Sequence, residues 1–89
     1  MLSRKVTIQN KAGLHARPSS MFVEVATGYD AELKVKSGND EINGRSIMGL
    51  MLLAAEKGQE LELIADGDDE VALLDALYEL IEVQKFDEE

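Results

Sequence analysis

The stretch "VTIQNKAGLHARPSSMFVEVATG", residues 6–28, changes its hydrophobic period part-way along, and that change decides the fold. Val6 and Ile8, with Leu2 before them, recur at even positions, as a strand with one buried face requires, and Thr7 adds β propensity. Asn10 to Gly13 ends this strand. From Ala16 onward the spacing becomes helical: Met21, Phe22, Val25 and Ala26 fall at i, i+1, i+4 and i+5, a single apolar stripe, and Gly28 stops the helix.

Working outward, Ala31, Leu33 and Val35 alternate with Glu32, Lys34 and Lys36, and "SGND" at 37–40 turns the chain into a short strand around Glu41 to Asn43. "SIMGLMLLAAEKG" at 46–58 opens on a capping serine and closes at Gly58, predicting a second helix of about ten residues. Leu61, Leu63 and Ala65 then alternate with Glu60, Glu62 and Ile64 in a fourth strand that runs to a turn at Asp66 to Asp68. In the last helix Val71, Leu74, Leu77, Tyr78 and Ile81 form the apolar stripe, while Asp68, Asp69 and Glu70 sit where the positive end of its dipole favours carboxylates. The order β-α-β-β-α-β-α predicts an α+β sandwich with one sheet face under the helices and the other wet.

A chain of 89 residues has room for one core only, burying about 60% of its unfolded surface, so residues 1–89 are expected to form a single domain. Without cysteine there is neither a disulfide framework nor a thiolate metal site. The N-terminal "MLSRKVTIQNK" has no apolar core or cleavage site, and no run reaches the roughly 18 apolar residues of a membrane span, so a soluble cytoplasmic protein is expected. The net charge of -9 repels phosphate backbones and anionic lipids, which argues against nucleic acid or membrane partners. Lys11, Arg17 and Arg45 could still form a locally basic face, whereas "DGDDE" at 66–70 and "DEE" at 87–89 read as solvated acidic surface.

His15, the only histidine, falls at or beside the N-cap of the first helix. The first-turn N–H groups lack intrahelical acceptors and, with the dipole, make an anion site. Pro18 fits there because it sacrifices only an N–H without a partner, and Gly13 lets the loop turn. Ala16 and Arg17 would offer backbone amides, and the Arg17 guanidinium a planar fork suited to phosphate oxygens. A histidine that attacks phosphorus must be neutral, and a helix N-terminus disfavours imidazolium. On spacing alone, a surface histidine with no further role weighs equally. One histidine without cysteine leaves no compelling metal site, and no cofactor is expected. Catalysis on a small molecule lacks a second acid-base group and a cleft, and no P-loop is present to bind ATP.

"GLHARP" at 13–18 together with "NGRSIMGLMLLAA" at 43–55 resembles the histidine-containing phosphocarrier (HPr) family of the bacterial phosphoenolpyruvate-dependent sugar phosphotransferase system, over nearly the whole chain. The resemblance implies an open-faced β-sandwich, a four-stranded antiparallel sheet with three helices on one face. It implies that His15 accepts a phosphoryl group on Nδ1 from phospho-Enzyme I and passes it to EIIA components of sugar permeases, with Arg17 as phosphate partner. Such a protein is a relay without independent turnover, expected to act as a monomer in short-lived complexes.

Ser46 is the second position carried over, as the target of an HPr kinase/phosphorylase in catabolite regulation; as a plain N-cap it needs no modification. A phosphate there would add about -1.5 to -2 charge to the docking face. "IMGLMLLA" is apolar nearly all round, more than one buried face absorbs, and in the family the exposed part, Ile47, Met48 and Met51 here, docks partners. The alternative within the family is a nitrogen-related, NPr-like carrier with mainly regulatory output; "SIMG" favours the sugar branch. An acyl carrier protein is also small and acidic, but the alternating strands argue against its helical bundle.

Overall fold

The computed structural model describes residues 1–88. Four strands, β1 (Leu2–Thr7), β2 (Glu32–Ser37), β3 (Asp40–Asn43) and β4 (Glu60–Asp66), form one antiparallel sheet in the order β1-β4-β2-β3. Three helices, α1 (Ala16–Thr27), α2 (Ile47–Leu53) and α3 (Glu70–Tyr78), complete the open-faced α+β sandwich in the order βαββαβα.

The register follows from period-two alternation. Val6 faces Leu61 across β1 and β4, and Val35 faces Leu63 across β2 and β4, so apolar side chains of three strands gather on one face. Phe22 and Ala26 of α1, Leu50 of α2 and Leu73, Leu74 and Leu77 of α3 close over them, all but inaccessible to water. Each such large apolar side chain contributes about 1.5–3 kcal/mol. β1 lies at a sheet edge, and the Glu82 carboxylate accepts from Thr7 N–H at 2.9 Å there, occupying a donor that could otherwise pair with another chain.

Two expectations from spacing need correction. The second helix has seven residues, not about ten: Ala54 takes a left-handed conformation at φ 51°, and Ala55 to Gly58 lead into β4. The Ala55 carbonyl accepts from Leu14 N–H at 2.9 Å, so these residues bind the His15 loop instead of prolonging the helix. Val71 is 58% exposed, because the buried stripe of α3 runs through Leu73, Leu74 and Leu77 instead. Asp69 stands at the N-cap of α3 as expected, and its carboxylate also accepts from Asp30 N–H at 2.8 Å and Ala31 N–H at 2.9 Å, tying the start of α3 to the entry of β2.

After α3 the chain makes a π-helical turn (Glu79–Val83), in which Gln84 N–H reaches back five residues to the Glu79 carbonyl at 2.8 Å. The wider turn leaves Leu80 and Ile81 buried. Lys85, Phe86 and Asp87 follow with φ of 53°, 55° and 58°, three consecutive non-glycine residues in the left-handed region. Each costs about 1–2 kcal/mol. The Phe86 ring, fully buried, supplies the compensating contact. Among the described residues no helix is long and apolar enough to cross a membrane.

Candidate functional site

The loop between β1 and α1 holds its shape through Gly13, at φ +72°, packed against the Ala55 backbone. Asn10, fully buried, donates from Nδ2 to the Gly13 carbonyl at 2.8 Å, and Leu14 is pinned by Ala55. His15 emerges as the N-cap residue of α1, with extended backbone (φ -82°, ψ -168°) and its carbonyl accepting the first helical bond from Ser19 N–H at 3.0 Å. Its side chain makes no cap bond and is 44% exposed. The amides of Ala16 and Arg17 have no acceptor among the described residues, and Pro18 has no N–H to offer.

Glu88 converges on these groups. Its carboxylate lies 3.1 Å from His15 Nε2, accepts from Arg17 at 3.2 Å, and accepts from Asn10 Nδ2 at 3.0 Å. Arg17 also donates to the Phe86 carbonyl at 3.0 Å, so the left-handed turn and the guanidinium hold each other. The Asn10 hydrogen bond, followed by those from His15 and Arg17, holds the Glu88 carboxyl below its ordinary value, with desolvation working against them. Glu88 is therefore an ionised acceptor, and the neutral imidazole must carry its proton on Nε2 to bond it. In that tautomer Nδ1 would carry the lone pair, and no described residue hydrogen-bonds Nδ1.

The other predicted residues lie apart from this cluster. Ser46 caps α2, its hydroxyl accepting from Gly49 N–H at 2.9 Å, about 10 Å of helix from the end that meets the His15 loop. Ile47, Met48 and Met51 are 40%, 74% and 42% exposed, and Leu52, absent from the expected patch, is 80% exposed. The three basic residues do not form one face. Arg45 donates to the carbonyls of Ala26 and Tyr29 at 2.8 and 2.6 Å, capping the far end of α1, while Arg17 stands at its start and Lys11 in the loop. Sequence reasoning also missed Glu88 and Asn10. Period and motif spacing carry no sign of a contact between residues 73 apart; only the lone Phe86 amid charges hints that the tail folds back. Among the described residues no group of three or more His, Cys, Asp or Glu is placed to hold a metal.

A family model described as "PTS HPr component phosphorylation site" matches residues 2–83. The chain belongs to the HPr family. It is 42% identical to the phosphocarrier protein HPr of Treponema pallidum over 89 residues, all of both chains. It is 39% identical to phosphocarrier protein NPr of Shewanella violacea over 87 residues, 98% of this chain and 94% of that one. Among solved structures, HPr-C-His from Thermoanaerobacter tengcongensis superposes with a TM-score of 0.94 at 43% identity, covering 100% and 99% of the two chains. An HPr dimer from the same organism aligns with a TM-score of 0.75 at 40% identity, over 96% and 98%. The HPr fold, with the sheet under three helices, is thus the fold of this chain.

Proposed function

We propose that this chain, acting as one HPr-like domain, is a cytoplasmic phosphocarrier that takes a phosphoryl group from phospho-Enzyme I on His15 and delivers it to EIIA components of sugar permeases. The observation that carries the reading is the half-exposed His15 ring at the start of α1, bonded through Nε2, beside Arg17, with Nδ1 and the Ala16 and Arg17 amides unpaired among the described residues. The Nδ1 lone pair forms the N–P bond as the bond from phosphorus to the donor breaks and its electron pair leaves with the donor. The ring keeps its Nε2 proton and becomes cationic; passing the phosphoryl group on returns the electron pair to Nδ1. Ala16 and Arg17 amides and the Arg17 guanidinium are the groups suited to the phosphoryl oxygens.

The exposed Ile47, Met48, Met51 and Leu52 provide an adaptable apolar surface joined to the His15 loop through the Leu14–Ala55 bond, suited to docking both donor and acceptor proteins. Ser46, at the other end of α2, is the position for an HPr kinase/phosphorylase, whose phosphate would repel an acidic partner from that surface. The carrier works as a monomer, since its site is built from one chain; a mass in solution of twice 9.8 kDa would count against this. The similarity to an NPr supports a second reading, a nitrogen-branch carrier, distinguished by which Enzyme I phosphorylates it faster. Incubation with Enzyme I, phosphoenolpyruvate and Mg²⁺ should add one acid-labile phosphoryl group, and His15→Ala should abolish it. Undiminished labelling of that variant overturns the assignment.

A further inference from the structure

We infer that Glu88 is a positioning residue for the proposed phosphoryl transfer: delivered by the left-handed turn at Lys85–Asp87, its carboxylate holds His15 as the Nε2–H tautomer and so exposes Nδ1 as the nucleophile. The inference rests on the phosphocarrier reading for its consequence, but its geometry stands without it.

A glutamate that merely solvated the surface would not sit in this place. Its carboxylate is met by a ring nitrogen at 3.1 Å, a guanidinium at 3.2 Å and a buried amide at 3.0 Å, contributed by loop and helix residues more than 70 positions away. Reaching it costs three consecutive residues in the left-handed region, a conformation that L-residues visit singly and at a cost. The turn is anchored on both sides, by the buried Phe86 ring beneath and by Arg17 on the Phe86 carbonyl above. Backbone strain held in place by its surroundings, ending on the chain's single imidazole, marks a constraint on that ring.

The chemistry follows from which nitrogen is held. An ionised carboxylate only accepts, so it selects the tautomer with hydrogen on Nε2, and a ring so fixed presents its lone pair at Nδ1. No proton need be removed when Nδ1 attacks, because the Nε2 proton stays in place throughout. The positive charge that the ring acquires develops beside the Glu88 carboxylate, which stabilises it; when the phosphoryl group departs, the same contact recovers the neutral Nε2–H ring. Arg17, bonded to the same carboxylate, is kept at the site between transfers.

The test is two-bond ¹H–¹⁵N NMR of unphosphorylated protein labelled on histidine, at a pH where the ring is neutral, for the wild type, Glu88→Ala and Glu88→Gln. The wild type should show the Nε2–H form in clear excess. Glu88→Ala should lower the ratio of Nε2–H to Nδ1–H forms about two- to fivefold, the range of a partly exposed charged hydrogen bond. Glu88→Gln, which keeps an acceptor oxygen, should retain most of the excess. A ratio unchanged in Glu88→Ala, or an equal fall in both variants, overturns the positioning role. A wild type that Enzyme I fails to phosphorylate, with the tautomer shift intact, overturns the carrier reading instead.

Discussion

Replacing Gly13 by alanine gives the sharpest perturbation of the loop that presents His15. Gly13 sits at φ +72°, and a Cβ built there would overlap the Ala55 carbonyl oxygen and come within 3.0 Å of Glu56 Cα, both backbone atoms that cannot swing aside. The left-handed conformation alone costs an alanine about 1 kcal/mol. Relieving the overlap means pushing away the Ala55 carbonyl that accepts from the buried Leu14 N–H, and losing that bond costs about 1–3 kcal/mol more. The variant should therefore lose on the order of 2–4 kcal/mol, a large part of the roughly 5–15 kcal/mol of a small domain. For a chain of this size each kcal/mol lowers Tm by about 4–8 °C, so the midpoint should fall by about 10 °C or more. Gly38→Ala is the control: φ is +61° and nothing lies within 4 Å, leaving only the conformational cost. Thermal and urea unfolding of both variants measures the difference. Equal losses in the two would show that Ala55 gives way freely and that the loop is not clamped against the end of α2.

Phe86→Ala empties a fully buried site and should cost about 3–5 kcal/mol in urea unfolding; a loss under about 1 kcal/mol would mean that the left-handed turn is not anchored by packing. Ser46→Ala removes the acceptor for Gly49 N–H and should cost about 0.5–2 kcal/mol, whereas Ser46→Asp keeps a capping oxygen and stability but slows phosphoryl acceptance from Enzyme I. Equal rates for wild type and Ser46→Asp would remove the charge switch. The hydrogen bond from Asp30, then that from Ala31, holds the Asp69 carboxyl below its ordinary value of 3.8 while desolvation opposes them, so its stabilisation is present above that pH and is lost as pH falls through the lower folded value. The Tm deficit of Asp69→Asn should accordingly be full at pH 7 and shrink below about pH 4; a deficit constant down to pH 3 would contradict this.

What could be read from the sequence divides along a physical line. Elements whose one face is buried carry their period in the chain, so β1, β2, β4 and α1 lie where Val6, Leu33, Leu61 and Phe22 indicate. His15 could be placed at a helix start from Gly13 and Pro18 alone. Long-range contacts leave no such trace. Ala54 ends α2 early because its neighbour Ala55 is recruited by Leu14, forty-one positions back, and nothing in "LLAAEKG" signals it. Arg45 reads as part of a basic face, yet it is consumed by the carbonyls at the end of α1. Glu88 reads as one more acidic residue in a charged tail, because the strained turn that brings it to His15 has no glycine to announce it.

The most direct measurement is ³¹P and ¹⁵N NMR of the chain after phosphorylation by Enzyme I and phosphoenolpyruvate. One phosphorus bonded to Nδ1 of His15, with hydrogen retained on Nε2, is the predicted result. Phosphorus on Nε2, or on any residue other than His15, would contradict it.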